Sequence, residues 1–164
     1  MELGRYVCKK LWNAARLRQM YEGDTDGEIN PARLTSDDRL ILLKLDSGIR
    51  EISTALDEYR FSEAAQALYR FFWSEYCDWY LEASKAALGF PGEGEMTPRK
   101  ANTPAVIDFL LGHLLRLFHP FMPFITEVLW HGPGFKPDLP NDTGPAPIPF
   151  AARPGPRHAE SKNN

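Results

Sequence analysis

The chain opens on a stretch with two unlike faces. Across residues 3–21, at about 100° per residue, Leu3, Val7, Leu11, Ala14 and Leu17 fall on one side of a helix. Arg5, Lys9, Trp12, Asn13 and Arg16 fall opposite, with Cys8 at the border. Residues 22–34 lose the period and gather glycine, aspartate, asparagine and proline, which predicts a loop. A second helix follows. Thr35 and Asp38 stand at capping-box spacing, with Ser36 the alternative cap. Ile41, Leu45, Ile49, Ile52, Leu56 and Tyr59 then repeat at threes and fours, while Arg39, Lys44, Arg50 and Asp57 mark a solvated side.

A third helix is predicted over residues 63–88, with Ser62 as its cap. Ala65, Leu68, Phe72, Tyr76, Trp79, Ala83 and Ala86 form its core stripe, and Tyr69, Trp73, Cys77 and Tyr80 a second set about a quarter-turn away. A face this wide either packs between two helices or leaves part free for a partner. Residues 89–102 read as a loop, with Arg99 and Lys100 near its end. Thr103 and Pro104 then suit the cap and first position of a fourth helix. Residues 106–118 are apolar almost all round, broken only by Asp108, Gly112, His113 and Arg116, so this helix is expected to be buried on more than one side. Pro120 stops it and pushes His119 out of α geometry. Pro123 opens a short helix carrying Phe124, Ile125, Val128, Leu129 and Trp130, and Gly132-Pro133 closes it.

Composition changes the picture at the C-terminus. Eight of the 14 prolines lie beyond Gly132, which divides the chain into a helical domain, 1–131, and a proline-rich tail, 132–164, extended or partly disordered. Ile148, Phe150 and Pro154 could lay part of that tail back along the bundle. At 164 residues there is room for one domain with a sizeable core. No apolar run reaches the roughly 18 residues of a membrane span, and no signal-peptide pattern is present. Two cysteines, Cys8 and Cys77, are too few for a disulfide scaffold, so a cytoplasmic setting is expected.

The net charge of -3 argues against a generic nucleic-acid binder, unless positive charge is gathered on one face. The first helix gathers it. A solvated face rarely carries an indole, and Trp12 among cations suits unpaired bases and phosphates. Other chemistry is not signalled. There is no glycine-rich phosphate loop, no cysteine-histidine grouping at zinc spacing, and no i, i+4 pair among His113, His119, His131 and His158. No catalytic or metal-ligating residue is therefore assigned, and His119 is expected to act as a helix-end hydrogen-bonder.

Three stretches carry a resemblance. GRYVCKKLWNAARL from Gly4, FFWSEYCDWYLEASK from Phe71 and LLRLFHPFMPFITEVLW from Leu114 resemble the anticodon-binding domain of valyl-tRNA synthetases, which are class I aminoacyl-tRNA synthetases. The likeness covers about residues 4–130, with a weaker echo to about Pro154, where the valyl pattern has a tryptophan and this chain has Arg153. Isoleucyl and leucyl relatives share the fold but differ around YCDWYLE, at Tyr76 to Glu82.

The resemblance implies an all-α antiparallel bundle of four main helices plus the short one after Pro123. It implies a module holding the anticodon arm of valine tRNA while a catalytic domain of the same enzyme charges the 3′ end. The His-Ile-Gly-His-like and Lys-Met-Ser-Lys-Ser-like activation motifs are missing. The expectation is thus a piece taken after the catalytic domain and before a C-terminal coiled-coil arm, its Met1 not the enzyme's own start. ATP with magnesium would serve the parent ligase, and no cofactor this piece, which is expected to be monomeric and without membrane contact. Spacing puts the tRNA face at Arg5, Lys9, Trp12, Asn13 and Arg16, with Trp73 and Lys85 added, supported by core residues around Phe118, Pro120 and Trp130. Two alternatives stay open: the same module of an isoleucyl or leucyl enzyme, and a helical scaffold that binds protein through its aromatic face.

Overall fold

Helix α1 (Glu2–Met20) turns Val7, Leu11 and Ala14 inward and leaves Arg5, Lys9, Trp12, Asn13 and Arg16 exposed. This computed structural model describes residues 2–20, 29–89 and 98–131. The tail expected over 132–164 and most of the loop expected over 22–34 lie outside the described residues. The inward stripe ends on Arg18, not on the expected Leu17, which is half-buried. Positions 7, 11, 14 and 18 follow the helical period more closely, and Arg18 can enter the core because Asp108 meets it there.

A single 3₁₀ turn (Pro31–Arg33) interrupts what the sequence presents as loop. It is tied down by Asn30, whose side chain accepts from the Ala32 N–H at 3.0 Å and whose own N–H donates to Asn102 Oδ1 at 2.9 Å. Helix α2 (Ser36–Asp57) starts as expected at Thr35, with both arms of the capping box formed to Asp38. Ile41, Leu45, Ile52 and Ala55 are buried, and Ile49 and Leu56 are half-buried. Tyr59 does not extend the stripe. It sits at φ 58 in the turn after α2, 80% exposed, because the chain must reverse there.

The third helix is one rod built of three segments: α3 (Phe61–Arg70), a π-helical run (Phe71–Tyr80) and α4 (Leu81–Leu88). Both junctions keep right-handed helical backbone, so nothing breaks the rod. It begins at Phe61 with no side-chain cap, so Ser62 is not the cap that the sequence suggests. The burial pattern also departs from the expected stripe. Ala64, Leu68, Phe72, Tyr76, Tyr80, Ser84 and Leu88 are all buried, a repeat of four, while Ala65, Trp79 and Ala83 are half-buried and Ala86 is exposed. In an α-helix such a row drifts round the axis by about 40° at each step. The wider i→i+5 turn of the π segment advances less per residue and cancels much of that drift. One face therefore stays inward over the whole rod.

Helix α5 (Pro98–Phe118) begins earlier than the Thr103–Pro104 start the sequence suggests, and holds Pro104 in its interior. Asn102, Thr103 and Pro104 are buried, and Asn102 anchors the 3₁₀ turn, so this first part of α5 is packed where a loop was expected. Val106, Ile107, Leu110, Leu111, Leu114, Leu115 and Phe118 are all buried, as the near-continuous apolar run requires. The corner at Pro120 leads to α6 (Pro123–Trp130), which buries Thr126, Leu129 and Trp130. Phe118 and Trp130 are core residues, but Pro120 is exposed, because it caps the corner from outside. His119 Nδ1 lies 2.9 Å from Thr126 Oγ1, a helix-end hydrogen bond across that corner. The architecture is an all-α helical bundle, and no strand occurs among the described residues.

Candidate nucleic-acid interface

A buried polar clamp helps fix α1 to the bundle, within an apolar seam. Arg18 Nε donates to Asp108 Oδ1 at 2.5 Å, with the guanidinium almost wholly buried. Burial raises the Asp108 carboxyl, and the adjacent Arg18 works against that rise. The Tyr76 hydroxyl is buried beside this pair, and loss of solvent pushes its ionisation well up. A second clamp joins the rod to α2: Tyr80 donates to Asp38 Oδ1 at 2.7 Å, while Asp38 Oδ2 accepts the Thr35 N–H at 3.0 Å. The capping carboxylate of α2 is thus also the hydrogen-bond acceptor of the third helix.

With α1 so held, its outer side is set by helical phase alone. Arg5, Lys9 and Arg16 point to solvent and meet no carboxylate within ion-pair distance among the described residues. Trp12 stands among them 49% exposed and is not packed in the core. The five residues expected on this face are therefore together, exposed, and unmasked by acids. Such a surface can offer an aromatic plane to a base and cations to its phosphates.

Of the two further residues expected from the rod, Trp73 meets α1 and Lys85 does not. Trp73 is half-buried beside Tyr69, ring centroids 5.5 Å apart, and Lys10 of α1 places its ammonium 4.1 Å from the Trp73 centroid. Lys10 also pairs with Asp78 at 2.9 Å. Lys85 is exposed, but it pairs with Glu82 on its own helix at 2.6 Å, and no bond joins it to α1 among the described residues. Lys10 is not among the residues that the sequence singles out, since it falls between the two faces of α1. Only its tryptophan, far along the chain, gives it significance.

The rest of the bundle supplies little reactive chemistry. Burial pushes the Cys77 thiol up to about 12, which keeps it protonated and unreactive near neutrality. Burial lowers the His113 imidazole, although the Phe109 carbonyl at 2.9 Å counters this in part. No group of three potential metal ligands occurs among the described residues, and none of their helices is long and apolar enough to cross a membrane.

Comparison with known proteins gives this geometry a setting. Residues 38–152 match the family model described as the anticodon-binding domain of tRNA ligase. The valine–tRNA ligase of Geobacter sulfurreducens is 45% identical over 137 residues, covering 81% of this chain and 15% of the relative. That of Syntrophotalea carbinolica is 44% identical over 137 residues, with the same shares. That of Treponema pallidum is 41% identical over 130 residues, covering 79% of this chain and 13% of the relative. The chain thus spans about 15% of the length of the curated relatives it matches.

Proposed function

Because this chain belongs to the family of anticodon-binding domains of tRNA ligases, we propose that it is the tRNA-binding module of a valine–tRNA ligase. The whole enzyme would join valine to its tRNA with ATP and magnesium, in the cytoplasm, and this module would act as a monomeric unit beside the catalytic domain. Relatives named for valine, rather than for isoleucine or leucine, favour that substrate. The observation that carries the reading is the outer face of α1. It concentrates three cations without acidic partners among the described residues, and a half-exposed indole, on a chain of net charge -3. A protein repelled by RNA as a whole needs such a local surface to bind it.

On this reading Arg5, Lys9 and Arg16 engage phosphates, Asn13 hydrogen-bonds, and Trp12 stacks on an unpaired base of the anticodon loop. Trp73 joins this face through Lys10, whereas Lys85 is paired with Glu82 and has no bond to α1 among the described residues. The test is a pair of salt-titrated binding curves with a valine tRNA, each with a thermal melt. Arg16→Ala should weaken binding and flatten the salt slope by about 0.7 for each single-strand phosphate that is no longer neutralised. Trp12→Ala should weaken binding about 5- to 100-fold, the range for removing one stacked base, with less change of slope. Both should melt like the parent, since neither side chain is in the core. Unchanged binding by both variants would remove α1 as the RNA face.

A further inference from the structure

The Lys10–Trp73–Asp78 group has the form of a closed latch. The ammonium of Lys10 covers the Trp73 ring at 4.1 Å from its centroid and is held there by Asp78 at 2.9 Å. Both restraints sit at the surface, with the Lys10 side chain 32% and the Asp78 side chain 54% exposed. Cation–π and ion-pair attractions are weak at such sites, because water and salt compete for the same charges. Beneath them lies the half-buried Trp73 ring. Tyr69 lies alongside it, and on α1 the exposed Tyr6, Lys10 and exposed Asn13 stand at i, i+4 and i+7. Lys9, exposed and without a carboxylate partner among the described residues, is the neighbouring position on α1.

We propose that Trp73 is a stacking subsite for one unpaired nucleobase, covered in the free protein by Lys10 and opened when that lysine moves from the ring to the nucleotide's phosphate. The proposal rests on the RNA-binding reading above. Charge supports this occupant: the group displaced from the ring is a cation, and a nucleotide brings both a flat π face for Trp73 and an anion for Lys10. Asp78 opposes opening twice over, by holding Lys10 and by repelling phosphate. It therefore sets how readily the subsite is used. A neutral aromatic partner would offer only the π face, an acidic one only the anion, and an aliphatic one neither.

The experiment uses the full 164-residue chain and an RNA hairpin with the anticodon stem and loop of a valine tRNA. Asp78→Asn should tighten binding about two- to fivefold, the span of an exposed ion pair. Lys10→Met should weaken it, and in that background Asp78→Asn should bring no gain, because there is no lysine left to release. Simple relief of charge repulsion would instead leave the gain intact in Lys10→Met, and that result overturns the latch. RNA should also quench a tryptophan signal that is missing in Trp73→Phe, a variant that keeps an aromatic ring in the same packing. Quenching equal to the parent's would exclude Trp73 from the base. If Arg16→Ala weakens binding while neither of these signatures appears, the subsite falls and the α1 reading stands. If Arg16→Ala and Trp12→Ala also leave binding unchanged, both fall.

Discussion

The third helix carries two lysine-tryptophan-carboxylate groups, one on each flank, and they differ instructively. On the α1 side Lys10 lies over Trp73 at 4.1 Å and pairs with Asp78 at 2.9 Å. On the α2 side Lys44 pairs with Glu75 at 2.6 Å and stands 6.0 Å from the Trp79 centroid, near the limit of useful attraction. Lys44 is thus held chiefly by its carboxylate, Lys10 by both ring and carboxylate. Their surroundings differ more. The α2 flank is backed by the buried Tyr80–Asp38 bond and the capping box, whereas the α1 flank borders the uncompensated cations. The same three residue types therefore fasten helices on one side and, in the proposed function, meet RNA on the other. Composition alone would not distinguish them.

The comparison breaks most readily at the clamp beneath α1. Arg18→Ala leaves the Asp108 carboxylate without this guanidinium in a place only 30% exposed. A loss of about 2–4 kcal/mol is expected, somewhat below the usual cost of breaking a fully buried pair. Denaturant unfolding measures it, and RNA binding should decline in parallel as α1 loosens. An unchanged midpoint would mean that apolar packing alone seats α1. Next in size is Tyr80→Phe, which removes the hydroxyl that donates to Asp38 at 2.7 Å. It should cost about 1–2 kcal/mol while RNA affinity stays at the parent's value. Weaker RNA binding in a variant that still folds would blur the division between the two flanks. The smallest effect sharpens it. Lys44→Met should change stability by less than about 1 kcal/mol, as exposed pairs do, and leave RNA affinity unchanged where Lys10→Met lowers it. Equal losses from the two lysines would mean that the flanks do not differ in function.

Much of this architecture is legible in the sequence, and the failures have physical causes. The outer face of α1 is readable because one amphipathic helix with a single dominant period fixes all its side chains at once. The Thr35–Asp38 cap is readable because its geometry is local. Arg18 is hidden because a lone arginine reads as surface, and Asp108, which helps make its burial tolerable, lies 90 residues away. Pro104 is misleading because a proline after a threonine imitates a helix start, whereas packing of Asn102 and Thr103 extends α5 past it. The four-residue repeat of the rod is masked by a face so rich in aromatics that several stripes fit it. Lys10 escapes notice for a related reason: its meaning comes from Trp73 and Asp78, which only the folded chain brings near.

That π-helical run also has a consequence for how this chain can vary. It works as a vernier, setting the angular phase of α4 against α3 so that Ser84 and Leu88 face the same way as Ala64 and Leu68. Substitutions on its outer side leave that phase alone. Tightening the run to α-helical pitch at its present length would not, since each residue would then advance by the full 100° or so and everything after the run would turn. The match between the pitch of this stretch and its length, more than its spelling, is what a descendant of this sequence must preserve.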